Sequence, residues 1–157
     1  MYPDLAMRCS ACCFDVIADE ESPTLRYANA AHLPLFHVSE GKVLEIYDPG
    51  TFLGIQPDAP FTERVIRLGP RDQLLAFTDG ICEQEDDVGR AFGMERMSAL
   101  LGRGSRDAEE IVRELDSALT VFAGERPLDD DVVILCVECG SGRRSMASLV
   151  DASEVPA

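Results

Sequence analysis

The periodicity of the chain changes at Gly80. Before it, apolar and β-branched residues come in short runs cut by turn formers, and after it they recur at helical spacing. Such a chain folds as α+β, with antiparallel strands in its first half and helices in its second. Residues 9 to 18 read as a strand, and Asp19, Glu20, Glu21, Ser22 and Pro23 as the hairpin turn into TLRYANA. LPLFHV and KVLEIY flank Ser39, Glu40 and Gly41, a turn-length connection with a glycine free to take a positive φ, so the meander continues through residue 47. Residues 48 to 61, with Pro49, Gly50, Gly54, Pro57 and Pro60, form a loop. ERVIRL and QLLAFT are two further strands joined by Gly69, Pro70, Arg71 and Asp72.

In the second half, Phe92, Met97, Leu100 and Leu101 predict a short helix, and Ile111, Leu115, Leu119 and Phe122 a longer one. Asp107 with Glu110 fits a capping box at the start of the longer helix, and Gly124 fits its end. A strand from Val132 to Val137 closes the domain. Residues 140–157 are small, polar and aperiodic, which reads as a flexible tail; the Arg143, Arg144, Ser145 run in it has the form of a kinase site on a solvated segment. The organisation is one domain, residues 1–139, and the tail.

A chain of 157 residues suits one domain with its own core. Twenty-nine acids against 14 bases give a net charge of −15, which repels phosphate backbones and anionic lipid and argues against nucleic-acid or membrane binding. A cation or a basic partner surface suits that charge better. Apolar stretches such as VVILCV fall far short of the roughly 20 residues of a membrane span, and MYPDLAMR lacks the apolar core of a signal peptide. With six cysteines in no disulfide pattern, the expected setting is reducing and cytoplasmic. Cys9 with Cys12 and Cys136 with Cys139 have the CxxC spacing of a structural zinc site. Both pairs lie in or beside strands, where side chains three apart point to opposite faces, so buried, reduced cysteine is the expectation; Cys13 and Cys82 match neither pair.

Two acids stand at strand tips, Asp79 after QLLAFT and Asp130 before VVILCV. Carboxylates at the mouths of strands are what a hard divalent cation needs from a protein. If the two strands run antiparallel as neighbours, the end of one lies beside the start of the other and the acids share a rim. Gly80 lets the chain turn there and keeps side-chain bulk away. The plainer alternative is that Asp79 and Gly80 are a turn and Asp129, Asp130 and Asp131 a solvated loop.

The order of motifs is more specific than either acid. YANAAHLPLF, FLGIQPDAPF, LGPRDQLLAFTDGICEQ, RAFGMERMSALL, DAEEIVRELDSALTVFAG and PLDDDVVILCV follow one another as in the C-terminal part of SpoIIE/RsbU-type, PPM (type 2C) metal-dependent serine/threonine phosphatases. The resemblance covers about residues 7 to 138. It implies a core of two packed antiparallel sheets flanked by helices, with two Mg²⁺ or Mn²⁺ ions at one end and a metal-activated water as nucleophile. Asp79 and Asp130 match metal ligands. Asp131 matches the acid standing behind them, Gly80 is a neighbour without a catalytic role, and no catalytic residue beyond the ligands is implied. The implied substrates are phosphoserine or phosphothreonine proteins, typically anti-sigma-factor antagonists in bacterial partner switching.

Departures from the family pattern carry their own expectations. The family's GDxxD-like N-terminal motif, which bridges both metals, does not occur in the sequence. The N-terminal strands and helices of the family fold are therefore expected to be missing, and the isolated chain is expected to have little or no phosphatase activity, since ligand count and rigidity set affinity for hard ions. Apolar strand faces left open are expected to be covered by self-association or by an N-terminal partner segment. Ala31 stands where glycine is usual and is strained only if its φ is positive; Val133 replaces a hydroxyl residue. His32 is a candidate for approaching the phosphate, with local hydrogen bonding as the plainer reading, and His37 reads as packing. Glu83, Glu85, Asp86 and Asp87 read as a solvated acidic loop. Two other function classes stay open, a degenerate non-catalytic interaction module and a zinc-stapled structural protein.

Overall fold

The computed structural model describes residues 10–17, 23–48, 50–56, 58–103, 107–140 and 150–151. Cys9, residues 19–22 of the expected hairpin turn, Pro49, Pro57 and most of the expected tail, with Arg143 to Ser145, lie outside the described residues. The elements in chain order are β1 (Ala11–Ile17), β2 (Thr24–Ala30), β3 (Leu35–Ser39), β4 (Lys42–Ile46), β5 (Glu63–Arg67), β6 (Gln73–Phe77), α1 (Asp79–Glu83), α2 (Gly93–Leu101), α3 (Ala108–Ala123), β7 (Val133–Glu138) and β8 (Val150–Asp151). The class is α+β with antiparallel sheets. The chain divides into two compact units.

The first unit holds the sheet β1-β2-β5. β2 is central, antiparallel to β1 with Phe14 opposite Tyr27, and to β5 with Arg26 opposite Val65. Leu25 and Tyr27 are buried and Arg26 between them is exposed, the alternation of a sheet with one covered face. On the open face Arg26 reaches Glu63 at 2.6 Å, and Arg64, opposite Tyr27, grips Asp48 through two nitrogens. Of the expected loop at 48–61, the described residues lie outside every strand and helix. Gly50 is required there, because a Cβ would lie 2.3 Å from the Asn29 carbonyl oxygen.

The strands divide between two sheets, as the resemblance implies, although the local pattern continues them as one meander. Ala31 takes a left-handed φ of 56°, and the buried Asn29 side chain holds that corner, accepting from the His32 amide at 2.7 Å and donating to the His32 carbonyl at 3.0 Å. Pro34, with no N–H for a ladder, then ends any continuation of β2. β3 accordingly pairs with β4 and β6, not with β2. Nor do Gly69 to Asp72 close a β5–β6 hairpin. The Arg71 amide donates to the Cys139 carbonyl at 2.6 Å, and the Cys139 amide donates to the Asp72 carbonyl at 2.8 Å, so this turn is stitched to the end of β7.

The second unit holds the sheet β4-β3-β6-β7-β8. β6 is inside it and reads as nearly continuous burial, with Gln73, Leu74, Leu75 and Phe77 all covered, and Phe77 stacks on Phe36 of β3 at 5.5 Å. α3 packs on β7 with Ile111, Leu115 and Leu119 buried; a side chain of that kind contributes roughly 2 kcal/mol on burial. Both arms of the expected capping box are made, with the Asp107 carboxylate accepting from the Glu110 amide at 2.7 Å. α2 joins α3 through an edge-to-face contact of Phe92 with Phe122, and Arg96 covers the Phe122 ring at 4.5 Å. Val150 and Asp151, within the segment that reads as tail, add a two-residue strand beside β7.

Candidate metal centre

β6 and β7 are direct antiparallel neighbours, with Phe77 opposite Ile134. Asp79 follows β6 and Asp130 precedes β7, so the two acids come to the same end of this strand pair. Thr78 closes this end of the pair. Its amide donates to the Val133 carbonyl at 3.1 Å, its hydroxyl accepts from the Val133 amide at 2.9 Å, and the same hydroxyl donates to the Asp131 carbonyl at 2.8 Å. Thr78 is also the N-cap of α1, yet it makes no side-chain cap bond, because its hydroxyl is committed across the strands. Gly80 sits so close to the other chain segment that a Cβ would lie 2.6 Å from the Asp131 carbonyl oxygen.

Asp79, Asp130 and Asp131 are all exposed. The Asp131 amide donates to Asp130 Oδ1 at 2.7 Å, which turns that carboxylate back on its own backbone. After Asp79 the chain runs into the single-turn helix α1, which buries Gly80, Ile81 and Cys82. An acid in the first turn suits the positive end of even a short helix.

The acidic run after α1 is not uniformly solvated. Glu83 and Asp87 are exposed, but Asp86 is buried and accepts from the amides of Val88 and Arg90 at 3.0 and 2.9 Å and from Arg90 Nε at 2.7 Å. The Arg90 amide, then the Arg90 side chain and the Val88 amide, hold its carboxyl below the usual carboxylate range against the effect of burial. Gln84 is buried and accepts from the Asp129 amide at 3.0 Å while donating to the carbonyls of Glu85 and Pro127 at 3.1 and 3.4 Å. Arg126 stands 3.3 Å from Asp129 and 3.7 Å from Glu85. Thr78, Gln84 and Arg126 have no signal in the sequence beyond standing near the two acids.

Both histidines are hydrogen-bonded. His32 Nδ1 lies 3.2 Å from the Leu33 carbonyl oxygen, the local hydrogen bond of the plainer reading. His37 is not mere packing. Its Nε2 lies 2.7 Å from Asp72 Oδ2, with the two side chains 12% and 6% exposed, and because a carboxylate only accepts, Nε2 carries the hydrogen.

Cys82, Cys136 and Cys139 are free and buried, as expected of reduced structural cysteine. Burial pushes the Cys82 thiol up to about 11 and the Cys136 thiol up to about 12. Cys82 Sγ packs against the thioethers of Met94 and Met97 at 3.2 and 3.4 Å. Among the described residues no group of three or more His, Cys, Asp or Glu side chains is arranged to hold a metal ion. What the rim presents is a pair of hard, exposed oxygen donors, which fit part of the ligand set of Mg²⁺ or Mn²⁺. Among the described residues no helix is long and apolar enough to cross a membrane.

The family model for stage II sporulation protein E (SpoIIE) matches residues 1–140. Protein IcfG of Synechocystis sp. is 27% identical over 137 residues, covering 87% of this chain and 21% of that protein. The SiaA-PP2C domain of Pseudomonas aeruginosa superposes with a TM-score of 0.62 at 24% identity, over 74% of this chain and 51% of that one. The phosphatase domain of the cell fate determinant SpoIIE from Bacillus subtilis, presoaked with Mn, superposes with a TM-score of 0.62 at 17% identity, over 86% of this chain and 59% of that one. The chain thus spans a little over half of these two structures and about a fifth of IcfG. The two structures share its fold, and the match over nearly its whole length, with the motif order and the strand-end acids behind it, makes this chain a member of the SpoIIE family of PPM-type phosphatases.

Proposed function

We propose that residues 1–139 are part of a metal-dependent protein serine/threonine phosphatase domain, with Asp79 and Asp130 as cation ligands. The observation that supports this most directly is the Thr78 bridge, which seats the two acids on adjoining backbone at one end of β6 and β7. A divalent cation bound there, Mn²⁺ or Mg²⁺, supplies an acidified water and neutralises charge on the phosphoryl group. The chain's own residues hold and orient. Asp79 and Asp130 present the oxygens, the Asp131 amide sets the rotamer of Asp130, Gly80 keeps the approach free of a side chain, and Thr78 fixes the spacing. His32, bonded within its own corner, takes no part in this reading.

The substrate class is a phosphoserine or phosphothreonine protein in the cytoplasm, and an anti-sigma-factor antagonist is the partner that fits a partner-switching pathway. Two carboxylates without a bridging acid make a weak site, so the chain alone has little activity. Calorimetric titration with Mn²⁺ tests the ligands: binding lost in both Asp79→Asn and Asp130→Asn is expected. Full turnover of a phosphoserine peptide by this chain with Mn²⁺, abolished by Asp79→Asn, would overturn the claim of weak activity. A second reading, a non-catalytic PPM-like interaction module, is favoured by the absence of a three-donor group among the described residues. Wild-type chain that takes up no Mn²⁺ would decide for it, whereas tight Zn²⁺ uptake through cysteine would argue for neither.

A further inference from the structure

Gln84 has a side chain only 1% exposed, although acids crowd the sequence on both sides of it. Its side chain ties two loops together. The side-chain oxygen accepts from the Asp129 amide, and the side-chain nitrogen donates to the carbonyls of Pro127 and Glu85. The backbone of Gln84 is held as well, donating to the Gly80 carbonyl at 3.2 Å and accepting from the Phe92 amide at 2.8 Å. An amide donates through its nitrogen and accepts through its oxygen without carrying charge; a carboxylate could not reach the two carbonyls as a donor, and an ammonium could not accept from Asp129.

Asp130 therefore lies between two fixed points. On one side the Asp129 amide is held by Gln84, and on the other the Asp131 carbonyl is held by Thr78. Thr78 and Gln84 are themselves the residues bracketing α1, the helix that Asp79 opens. The same short segment that carries one acid thus pins the backbone of the other from both flanks. Arg126 adds an outer tie, standing 3.3 Å from Asp129 and 3.7 Å from Glu85.

We propose that Gln84 is a positioning residue that couples the Asp79 and Asp130 carboxylates into one cation site. This rests on the reading of those acids as ligands. A group that orients ligands without touching the ion typically changes metal affinity by about 10- to 100-fold.

The test uses the full chain, Mn²⁺ as the probe and backbone amide spectra. In the wild type, Mn²⁺ broadens amides at residues 79–80 and 129–131 along a single binding curve. Gln84→Met keeps the volume and removes both donor and acceptor; it is expected to weaken that binding about tenfold and to speed hydrogen exchange at the Asp129 amide by a similar factor. Native shifts in α3, β6 and β7 certify that the variant is folded. Gln84→Asn, which keeps the amide but falls one methylene short, carries the same expectation and serves if the methionine variant does not fold. A folded Gln84→Met or Gln84→Asn that binds Mn²⁺ within twofold of wild type overturns the coupling, as does unchanged exchange at Asp129. Failure of Mn²⁺ to broaden either loop in the wild type sinks the ligand reading first, and the coupling with it.

Discussion

The β6–β7 pair ends in acids on both sides, and the two ends treat them differently. At the Gln73–Glu138 end the backbone is closed by Arg71, Asp72 and Cys139, Asp72 is buried against His37, and Glu138 accepts from Gln73 at 3.4 Å and from the Ala108 amide at 3.1 Å. At the Phe77–Ile134 end the backbone is closed just as firmly by Thr78, but Asp79, Asp130 and Asp131 face solvent. A buried acid must carry its partner with it, since desolvated charge without a hydrogen bond is costly. An exposed acid on backbone made rigid by neutral groups keeps its oxygens available. The first end is built to hold the sheet together, and the second leaves its acids open, as the proposed cation site requires.

The largest effect follows from cutting the closed end. Asp72→Ala leaves the His37 ring buried without its acceptor and is expected to cost about 3 kcal/mol in urea unfolding. Asp79→Ala, at the open end, should stay within about 0.5 kcal/mol of wild type while losing Mn²⁺ binding. Equal costs for the two would break the comparison. Next comes Gly80→Ala. Its Cβ would meet the Asp131 carbonyl, a backbone atom that can yield only by moving the loop that carries Asp130, so a loss of about 2 kcal/mol is expected together with weakened Mn²⁺ binding. Stability lost with Mn²⁺ affinity intact would show that the close approach serves only the fold.

Local rules read much of this from sequence. TLRYANA is β2 to the residue, Asp107 with Glu110 is the capping box, and TDG next to DD gives the rim once two neighbouring strands are antiparallel. What stayed hidden depends on contacts distant in sequence or on a single backbone angle. The meander splits because Ala31 turns left-handed, an angle hinted at only by the glycine usual at that position in the family. His37 and Asp72 meet across 35 positions, and nothing in an apolar strand marks its histidine as paired. Gln84 and Asp86 look like members of an acidic run, yet one is an internal tether and the other the hub of a turn; polar residues next to charges give no period by which burial can be read.

Smaller effects sharpen the contrast. Arg71, at the closed end, has φ 65°, and Ala31 has φ 56°; a left-handed conformation costs a non-glycine residue about 1 kcal/mol. Part of that gain is offset by the greater freedom of glycine in the unfolded chain, so Arg71→Gly and Ala31→Gly should each stabilise by roughly 0.5 kcal/mol in thermal melts. Destabilisation by Arg71→Gly would mean that its side chain, not its backbone, closes that end.

The smallest effect concerns Asp86, an acid beyond the open end that is buried like those at the closed one. Its carboxyl is held below the ordinary range first by the Arg90 amide, so folding favours its ionised form. That contribution is complete above the unfolded aspartate value of about 3.9 and is lost as pH falls through it toward the lower folded value. Because the Arg90 side chain is largely exposed, solvent screens the ion pair and the amide bonds carry most of the effect. Exchange at the Val88 and Arg90 amides should therefore accelerate as pH is lowered from about 5 to 3, after correction for intrinsic rates. Asp86→Asn should flatten the profile, while Asp79→Asn should leave it unchanged. If Asp79→Asn flattened it as well, the division between buried acids that hold the fold and exposed acids that await a ligand would not run between these two residues.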